Sequence, residues 1–327
     1  MTDHIQESGT SPCQPEVTAI IPTRGRPQLL KQAIQSILDQ QGPAVQIQVI
    51  IDGPRDMASE KIVEDFKHPL VKFHAFETNK GPAACRTAGA LMAETEWVAF
   101  LDDDDLWYPQ KIQIQLAAVP KGAERRTIVS CRSHIETPTG IYVWPRRLPA
   151  PGQKVGDYLF CRRSLFKGDS FVQASSILCH RDVMVQFPQR TVAHEDWDWL
   201  IRACDHGGCR LIVVPEILAR HKTEFKRNSL SNLHQFNESF QWSLDMSGIL
   251  SKQAFSGFLL HVLNGMLTER GDWRSGCHVF VTALRHGKPR IMDLFMFGIQ
   301  WLFPTSLRRR IRSRFQRLRP GGGGIFA

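Results

Sequence analysis

No CxxC pair and no regular cysteine framework occur in this 327-residue chain, although it holds eight cysteines, at positions 13, 85, 131, 161, 179, 204, 209 and 277. That excludes zinc knuckles and a disulfide-stapled scaffold, and the scattered thiols read as reduced residues of a cytosolic protein. No GxGxxG turn follows the first apolar run and no GxxxxGK[ST] occurs, so the usual dinucleotide and P-loop phosphate cradles are missing. The histidines, His278 and His286 included, form no zinc set. The first fifteen residues, MTDHIQESGTSPCQP, lack an apolar core; they predict a disordered lead-in and no secretory signal.

Acidic residues are missing from one place in particular. Between Arg308 and Arg319 there are seven arginines and no acid, so of the net charge of +9 only 9 − 7 = +2 belongs to the rest of the chain. A basic tail on a near-neutral body argues against a nucleic-acid-binding protein. Phe315 is the only aromatic in that run, so base-stacking platforms are absent too.

What the chain has is ample apolar material, 42% hydrophobic against 22% charged, enough for one large domain or two modest ones. Val17–Ile21 reads as a buried strand, and Leu29, Leu30, Ala33, Ile34, Ile37 and Leu38 follow at helical spacing. Val45 to Ile51 predicts a second strand, Ser59 to Phe66 a second helix, and Leu70 to Phe73 a third strand. This alternation implies a parallel sheet with right-handed crossovers. Asp52, at the end of the second strand, stands where α/β folds place an acid against a base or ribose, or simply begins a turn before Gly53. Asn79-Lys80-Gly81-Pro82 opens a helix of small residues able to pack close to the sheet, and Arg86 on it can face an anion or solvent.

The centre of the sequence is Trp97-Val98-Ala99-Phe100-Leu101, a run of strand length that empties into Asp102-Asp103-Asp104-Asp105. Adjacent carboxylates repel and are costly to desolvate unless a cation sits among them. At the carboxyl end of a strand, such a cluster suggests a site for a hard divalent ion, or the acidic first turn of a helix starting at Asp105. A second landmark, His194-Glu195-Asp196-Trp197-Asp198-Trp199, places carboxylates ahead of an aromatic amphipathic helix, where capping alone would also explain them.

Ile20-Ile21-Pro22-Thr23 with Arg26, the strand-end Asp52, Asn79-x-Gly81 with Arg86, and Phe100-Leu101-Asp102-x-Asp104-Asp105 together resemble the N-terminal half of a family 2 glycosyltransferase, from about Val17 to Ser231. The resemblance implies a GT-A fold, a Rossmann-like and mostly parallel sheet flanked by helices. It further implies inverting transfer of a sugar, from a UDP-sugar by expectation, to a hydroxyl acceptor in cell-surface polysaccharide or glycolipid synthesis. Thr23, Arg26, Asp52, Asn79, Arg86 and Asp102 would then line the nucleotide site. Asp102 and Asp104 would form the D-x-D motif that holds Mn²⁺ or Mg²⁺, with Asp104 the principal ligand and His221 a candidate third. Asp196 would be the general base, with Glu195 its neighbour or substitute. Rival readings are a sugar-phosphate nucleotidyltransferase, which the missing glycine-rich lysine loop disfavours, and a nucleic-acid binder using the arginine tail.

Lys111 to Val119 predicts a further helix, Thr127 to Cys131 a strand, Thr137 to Gly156 a long acceptor-facing loop, Phe171 to Leu178 another strand, and Leu211 to Pro215 the last. Arg220-His221-Lys222 and Lys226-Arg227-Asn228-Ser229 then gather cationic and polar groups. The expected organisation is a lead-in over 1–15, the GT-A domain over 16–231, a helical extension over 232–303 and a basic, glycine-rich tail over 304–327. Ile291 to Phe303 is thirteen residues long and contains Asp293 and Gln300, short of the about twenty apolar residues a spanning helix requires. Beside the arginines it predicts an in-plane anchor on an anionic membrane, or a core helix with a solvated tail. The expected partners are a nucleotide-sugar donor, a glycan or lipid-linked acceptor and that membrane surface, with no nucleic acid; the expected location is the cytoplasmic face of the cell membrane.

Overall fold

The computed structural model describes residues 15–138, 140–164, 169–222 and 231–303. The lead-in, the Lys226–Ser229 cluster and the arginine tail lie outside them. The elements run β1 (Val17–Thr23), α1 (Pro27–Leu38), β2 (Val45–Ile51), α2 (Met57–Asp65), β3 (Val71–Ala75), α3 (Pro82–Met92), β4 (Trp97–Phe100), β5 (Leu106–Trp107), α4 (Lys111–Ala117), β6 (Thr127–Thr137), β7 (Gly140–Trp144), α5 (Val155–Phe160), β8 (Leu178–His180), α6 (Arg181–Gln186), α7 (Glu195–Ile201) and β9 (Arg210–Lys222). After these come α8 (Ser231–Asp245), α9 (Lys252–Gly257), α10 (Asn264–Thr268), α11 (Trp273–His286) and α12 (Ile291–Leu302). A π-helical turn over Phe258–Leu263 joins α9 to α10.

One sheet organises the chain, in the order β3-β2-β1-β4-β8-β6-β9-β5, with β7 paired outside β6. β1, β2, β3 and β4 are mutually parallel, as the alternation predicts. β8, however, runs antiparallel to both β4 and β6, so the sheet is mixed beyond β4. The carboxyl ends of β1, β2 and β4 open on one edge of the sheet, where open α/β sheets place their ligands.

Side chains alternate across β1. Val17, Ala19 and Ile21 belong to an apolar layer with Leu30, Ile34 and Ile37 of α1, while Ile20 belongs to the opposite layer with Phe100, Trp199 and Phe258. The second layer is continuous from the strands into the helices after residue 231, so that extension shares its core with the sheet. α3 begins at Gly81, whose φ of 86° suits glycine, with Pro82 in the first turn. The close packing expected of its small residues is present: a Cβ on Gly89 would stand 2.5 Å from Ile20 Cγ2.

Two sequence expectations are corrected. Residues 137–156 do not form one long loop, because β6 runs on to Thr137 and turns through Gly140 into β7. No strand covers Phe171 to Leu178; Ala174–Ser176 form a 3-10 turn whose small buried side chains fit beneath the acidic loop, and β8 starts only at Leu178. The last strand is also longer than its apolar run, since β9 pairs along β6 as far as Lys222.

Among the described residues the seven cysteines are free, five of them buried, and no helix is long and apolar enough to cross a membrane.

Candidate active site

The four aspartates after β4 do not share one environment. Their side chains alternate, with Asp103 and Asp105 buried and Asp102 and Asp104 half-buried. Asp103 turns back to the end of β1, where Thr23 Oγ1 donates at 2.7 Å and Arg26 Nη1 at 3.1 Å. The same Arg26 nitrogen reaches Asp104 Oδ2 at 3.0 Å. Asp105 turns the other way: Ser175 Oγ donates to its Oδ2 at 2.5 Å, Gln173 Nε2 donates to the same oxygen at 2.6 Å, and His221 Nδ1 lies 2.7 Å from Oδ1. The loop is closed by β5, which pairs with β9 through Leu106↔Arg220 and Trp107↔Ala219. Asp105 therefore sits inside the loop, not at a helix N-terminus; α4 begins only at Lys111.

Asp102 faces Arg86. This guanidinium is buried, 3% exposed, and links the two landmarks of the sequence. Its Nη2 donates to Asp102 Oδ1 at 2.6 Å, while Nη1 donates to Glu195 Oε1 at 3.0 Å, to Asp196 Oδ1 at 3.1 Å and to Gln189 Oε1 at 3.3 Å. Burial works against its charge, yet Asp102, Asp196 and Glu195 hold its pKa above the ordinary arginine value. The turn over Ala174–Ser176 touches both sides: Asp102 N–H donates to Ser175 Oγ at 3.0 Å, and Ala174 N–H donates to Asp196 Oδ2 at 3.2 Å.

Burial raises the pKa of Asp196 and of Glu195, with Arg86 opposing in both cases. Burial, then the neighbouring charges of Asp105 and Asp102, raises that of Asp104. For His221, burial lowers the pKa but the hydrogen bond and charge of Asp105 outweigh it, and the net direction is upward.

Every expected residue except Asn79 stands in this network or directly beside it. Asn79 is exposed on the loop before Gly81. Asp52 borders the site, but its carboxylate accepts from Lys80 N–H at 2.7 Å and Gly81 N–H at 3.1 Å, pinning that loop to the end of β2. His221 makes its direct contact with Asp105, and the charges of Asp102 and Asp104 also act on it. No group of three or more His, Cys, Asp or Glu side chains stands at metal-holding spacing among the described residues. The donor chemistry nonetheless fits a hard divalent cation: Asp102 and Asp104 are accessible oxygen ligands, each engaging its arginine through one oxygen, in a cluster where carboxylates outnumber cations.

Gln173 and Ser175 lie in the stretch expected as a strand, but their bonds to Asp105, like the contact of Gln189 with Arg86, come from the fold and not from any motif. Asp198 stands in the second acidic landmark, where its structural role could not be told from its neighbours'. It is fully buried and accepts from Arg190, from Arg202 Nε at 2.9 Å and from Trp242 Nε1 at 3.1 Å, which fixes the start of α7 against α8. His194, at φ 57°, stacks on Trp197 with ring centroids 4.9 Å apart and places Nε2 3.0 Å from Ser239 Oγ of α8. Burial pushes its pKa down to about 4.

Comparison with known proteins agrees with this geometry. Residues 18–186 match the family model described as glycosyl transferase family 2. The amylovoran biosynthesis glycosyltransferase AmsB of Erwinia amylovora is 29% identical over 152 residues, which are 44% of this chain and 48% of that protein. The chain thus spans about half the length of that curated relative. In fold it is similar to S. aureus TarS 1-349 in complex with UDP-GlcNAc, at a TM-score of 0.55 and 15% identity, covering 92% of each chain. It is likewise similar to the mannosyltransferase PcManGT of Pyrobaculum calidifontis in complex with GDP-Man and Mn²⁺, at a TM-score of 0.56 and 13% identity, covering 92% of this chain and 85% of that one. The mixed sheet with flanking helices is thus the GT-A fold, and the chain belongs to glycosyl transferase family 2.

Proposed function

We propose that this protein is an inverting glycosyltransferase that moves a sugar from a UDP-sugar to a hydroxyl group of a glycan or lipid-linked acceptor, in the synthesis of a cell-surface polysaccharide or glycolipid. The observation that carries the reading is the bridge through Arg86, which brings a strand-end Asp102 and the Glu195–Asp196 pair into one cluster from positions far apart in sequence. UDP-GlcNAc in TarS and GDP-Man with Mn²⁺ in PcManGT support a nucleotide-sugar donor, and the amylovoran relative supports a polysaccharide product.

In this reading Thr23, Arg26 and Asp52 border the nucleotide, with Asp52 acting through the Lys80–Gly81 backbone it holds. Asp196 is the base. Its Oδ2 is fixed by Ala174 N–H and its burial-raised pKa makes it a better proton acceptor than a solvated aspartate. The acceptor oxygen forms the new bond to the anomeric carbon as its proton passes to Asp196, and the bond to the diphosphate oxygen breaks with its electron pair leaving on that oxygen. One displacement opposite the leaving group inverts the carbon. A divalent cation held by Asp102 and Asp104 would supply charge to the departing diphosphate. We assign the same protein to the cytoplasmic face of a membrane, where a lipid-linked acceptor is met.

The test is calorimetric titration with UDP and GDP, each with and without Mn²⁺, followed by assay of transfer from the sugar of the diphosphate that binds. Metal-dependent binding of UDP and a product of inverted anomeric configuration uphold the reading. A folded protein that binds neither diphosphate overturns it, and one that binds GDP alone overturns its choice of donor.

A further inference from the structure

α12 is turned inside out relative to a surface helix of a soluble domain. Its polar side chains face inward and are partnered: Asp293 accepts from Arg290 Nη2 at 2.9 Å and lies 2.8 Å from His261 Nε2, and Gln300 Oε1 accepts from Asn264 Nδ2 at 2.8 Å. Every exposed side chain on it is apolar, namely Ile291, Leu294, Phe295 and Leu302, with Ile291 87% and Leu302 77% exposed. Amphipathic helices of soluble domains place these two classes the other way round.

α11 continues the face. Phe280 packs on Phe297 with centroids 4.7 Å apart, and Gly276 leaves the room that the Trp301 ring occupies, so the two helices pack antiparallel. On each helix the exposed apolar residues fall about a quarter turn further on than the residues making that contact, which in an antiparallel pair directs both stripes to the same side. Trp273, Val281 and Leu284 of α11 thereby join the four of α12. No acid is exposed on either helix, whereas Arg274, Arg285 and Lys288 are exposed along them. The sequence then proceeds within a few residues to the seven arginines between Arg308 and Arg319.

We propose that the shared apolar face of α11 and α12 seats on a bilayer rich in anionic phospholipid, with the cations that flank it meeting the headgroups. A contiguous apolar face of this kind marks a docking surface, and the cations exposed along both helices, with no exposed acid on either, select an anionic partner. A second copy of the chain would bring the same positive charges together, which disfavours it as the occupant. The proposal deepens the peripheral-membrane part of the function above and rests on it, but not on the transfer chemistry.

The experiment is flotation of the full-length protein with vesicles of phosphatidylglycerol and phosphatidylcholine, against phosphatidylcholine alone, at low and high salt. We expect binding to the anionic vesicles only, weakened by salt, and a bound fraction at least about tenfold lower for Leu302→Glu and for the milder Ile291→Ser paired with Phe295→Ser. Nucleotide titration of the same samples checks that the variants are folded and reads the active site separately. Absence of binding to anionic vesicles at low salt overturns the proposal. So does undiminished binding of a folded Leu302→Glu, which would leave the arginines alone responsible. A lipid-free dimer that Leu302→Glu dissociates would assign the face to a second copy and overturn it equally.

Discussion

Trp242 donates its indole N–H to Asp198 Oδ1 at 3.1 Å, and through that bond α8 holds the helix that carries Asp196, both helices lying beyond the matched family segment. Asp198 also takes two arginines, and although burial opposes it, Arg190 and Arg202 hold its carboxyl below the usual range. Trp242→Phe keeps the ring and loses the donor, at an expected cost of about 1 kcal/mol. Asp198→Asn strands two arginines and is expected to cost about 3 kcal/mol. Urea midpoints order the two variants, and an Asp198→Asn protein as stable as wild type would contradict the assignment.

Asp196→Asn removes the proposed proton acceptor while keeping the side chain's shape and leaving Asp102 and Glu195 to hold Arg86. Transfer should fall by about 10²-fold or more, while titration with the donor diphosphate and Mn²⁺ is unchanged. Asp104→Asn should do the reverse at the binding stage, weakening metal-dependent diphosphate affinity itself. Retention of most of the transfer rate by Asp196→Asn would remove it as the base.

Arg86 neutralises three carboxylates from a buried position, so Arg86→Met leaves them facing one another. A loss of about 3–5 kcal/mol is expected, as when one partner of a buried ion pair is deleted. Arg86→Lys should recover part of it, since a lysine supplies the charge but not the two-pronged geometry. Thermal unfolding of the three proteins gives the comparison.

His194 has a folded pKa of about 4, against about 6.5 for a free histidine. The unfolded chain therefore takes up this proton first. The stability contributed by the neutral, stacked ring is complete above pH of about 6.5 and is lost as pH falls toward about 4. His194→Gln should flatten the thermal midpoint over that window, and an unchanged slope would assign the pH dependence elsewhere.

Gly89→Ala places a methyl 2.5 Å from Ile20 Cγ2 at the closest approach of α3 to the sheet. Overpacking there is expected to cost about 1–3 kcal/mol, and since Ile20→Ala opens the room the methyl needs, the costs of the two changes should be less than additive in the double variant. Differential scanning calorimetry of the single and double variants is the check.

The strands β1, β2 and β4 were legible because buried parallel strands are written as unbroken β-branched and apolar runs, and α1 because its buried residues keep helical spacing. β7 was not, since Gly140 to Trp144 lies among prolines and arginines and gains its pairing from β6 rather than from propensity. The acids of the site were legible as clusters, because clustered like charge is improbable without a purpose. Their division of labour was not: four adjacent aspartates look equivalent until the alternation of the chain turns Asp103 toward Thr23 and Asp105 toward His221. Arg86 could be read as a cation near an anion, and Asp102 is close in sequence, but its other partners, Gln189, Glu195 and Asp196, come from more than a hundred residues further along. Only tertiary structure could bring them to it.

The single guanidinium of Arg86 ties the two proposed roles of the site to each other. Its Nη1 occupies Asp196 Oδ1, and its Nη2 occupies Asp102. An acceptor hydroxyl that is to hand its proton to Asp196 competes with that arginine for the same carboxylate, and a cation arriving at Asp102 competes at the other end. In the proposed mechanism, donor loading that draws the guanidinium toward the incoming diphosphate would release Asp196, so that the acceptor's proton would have somewhere to go only once the donor is in place.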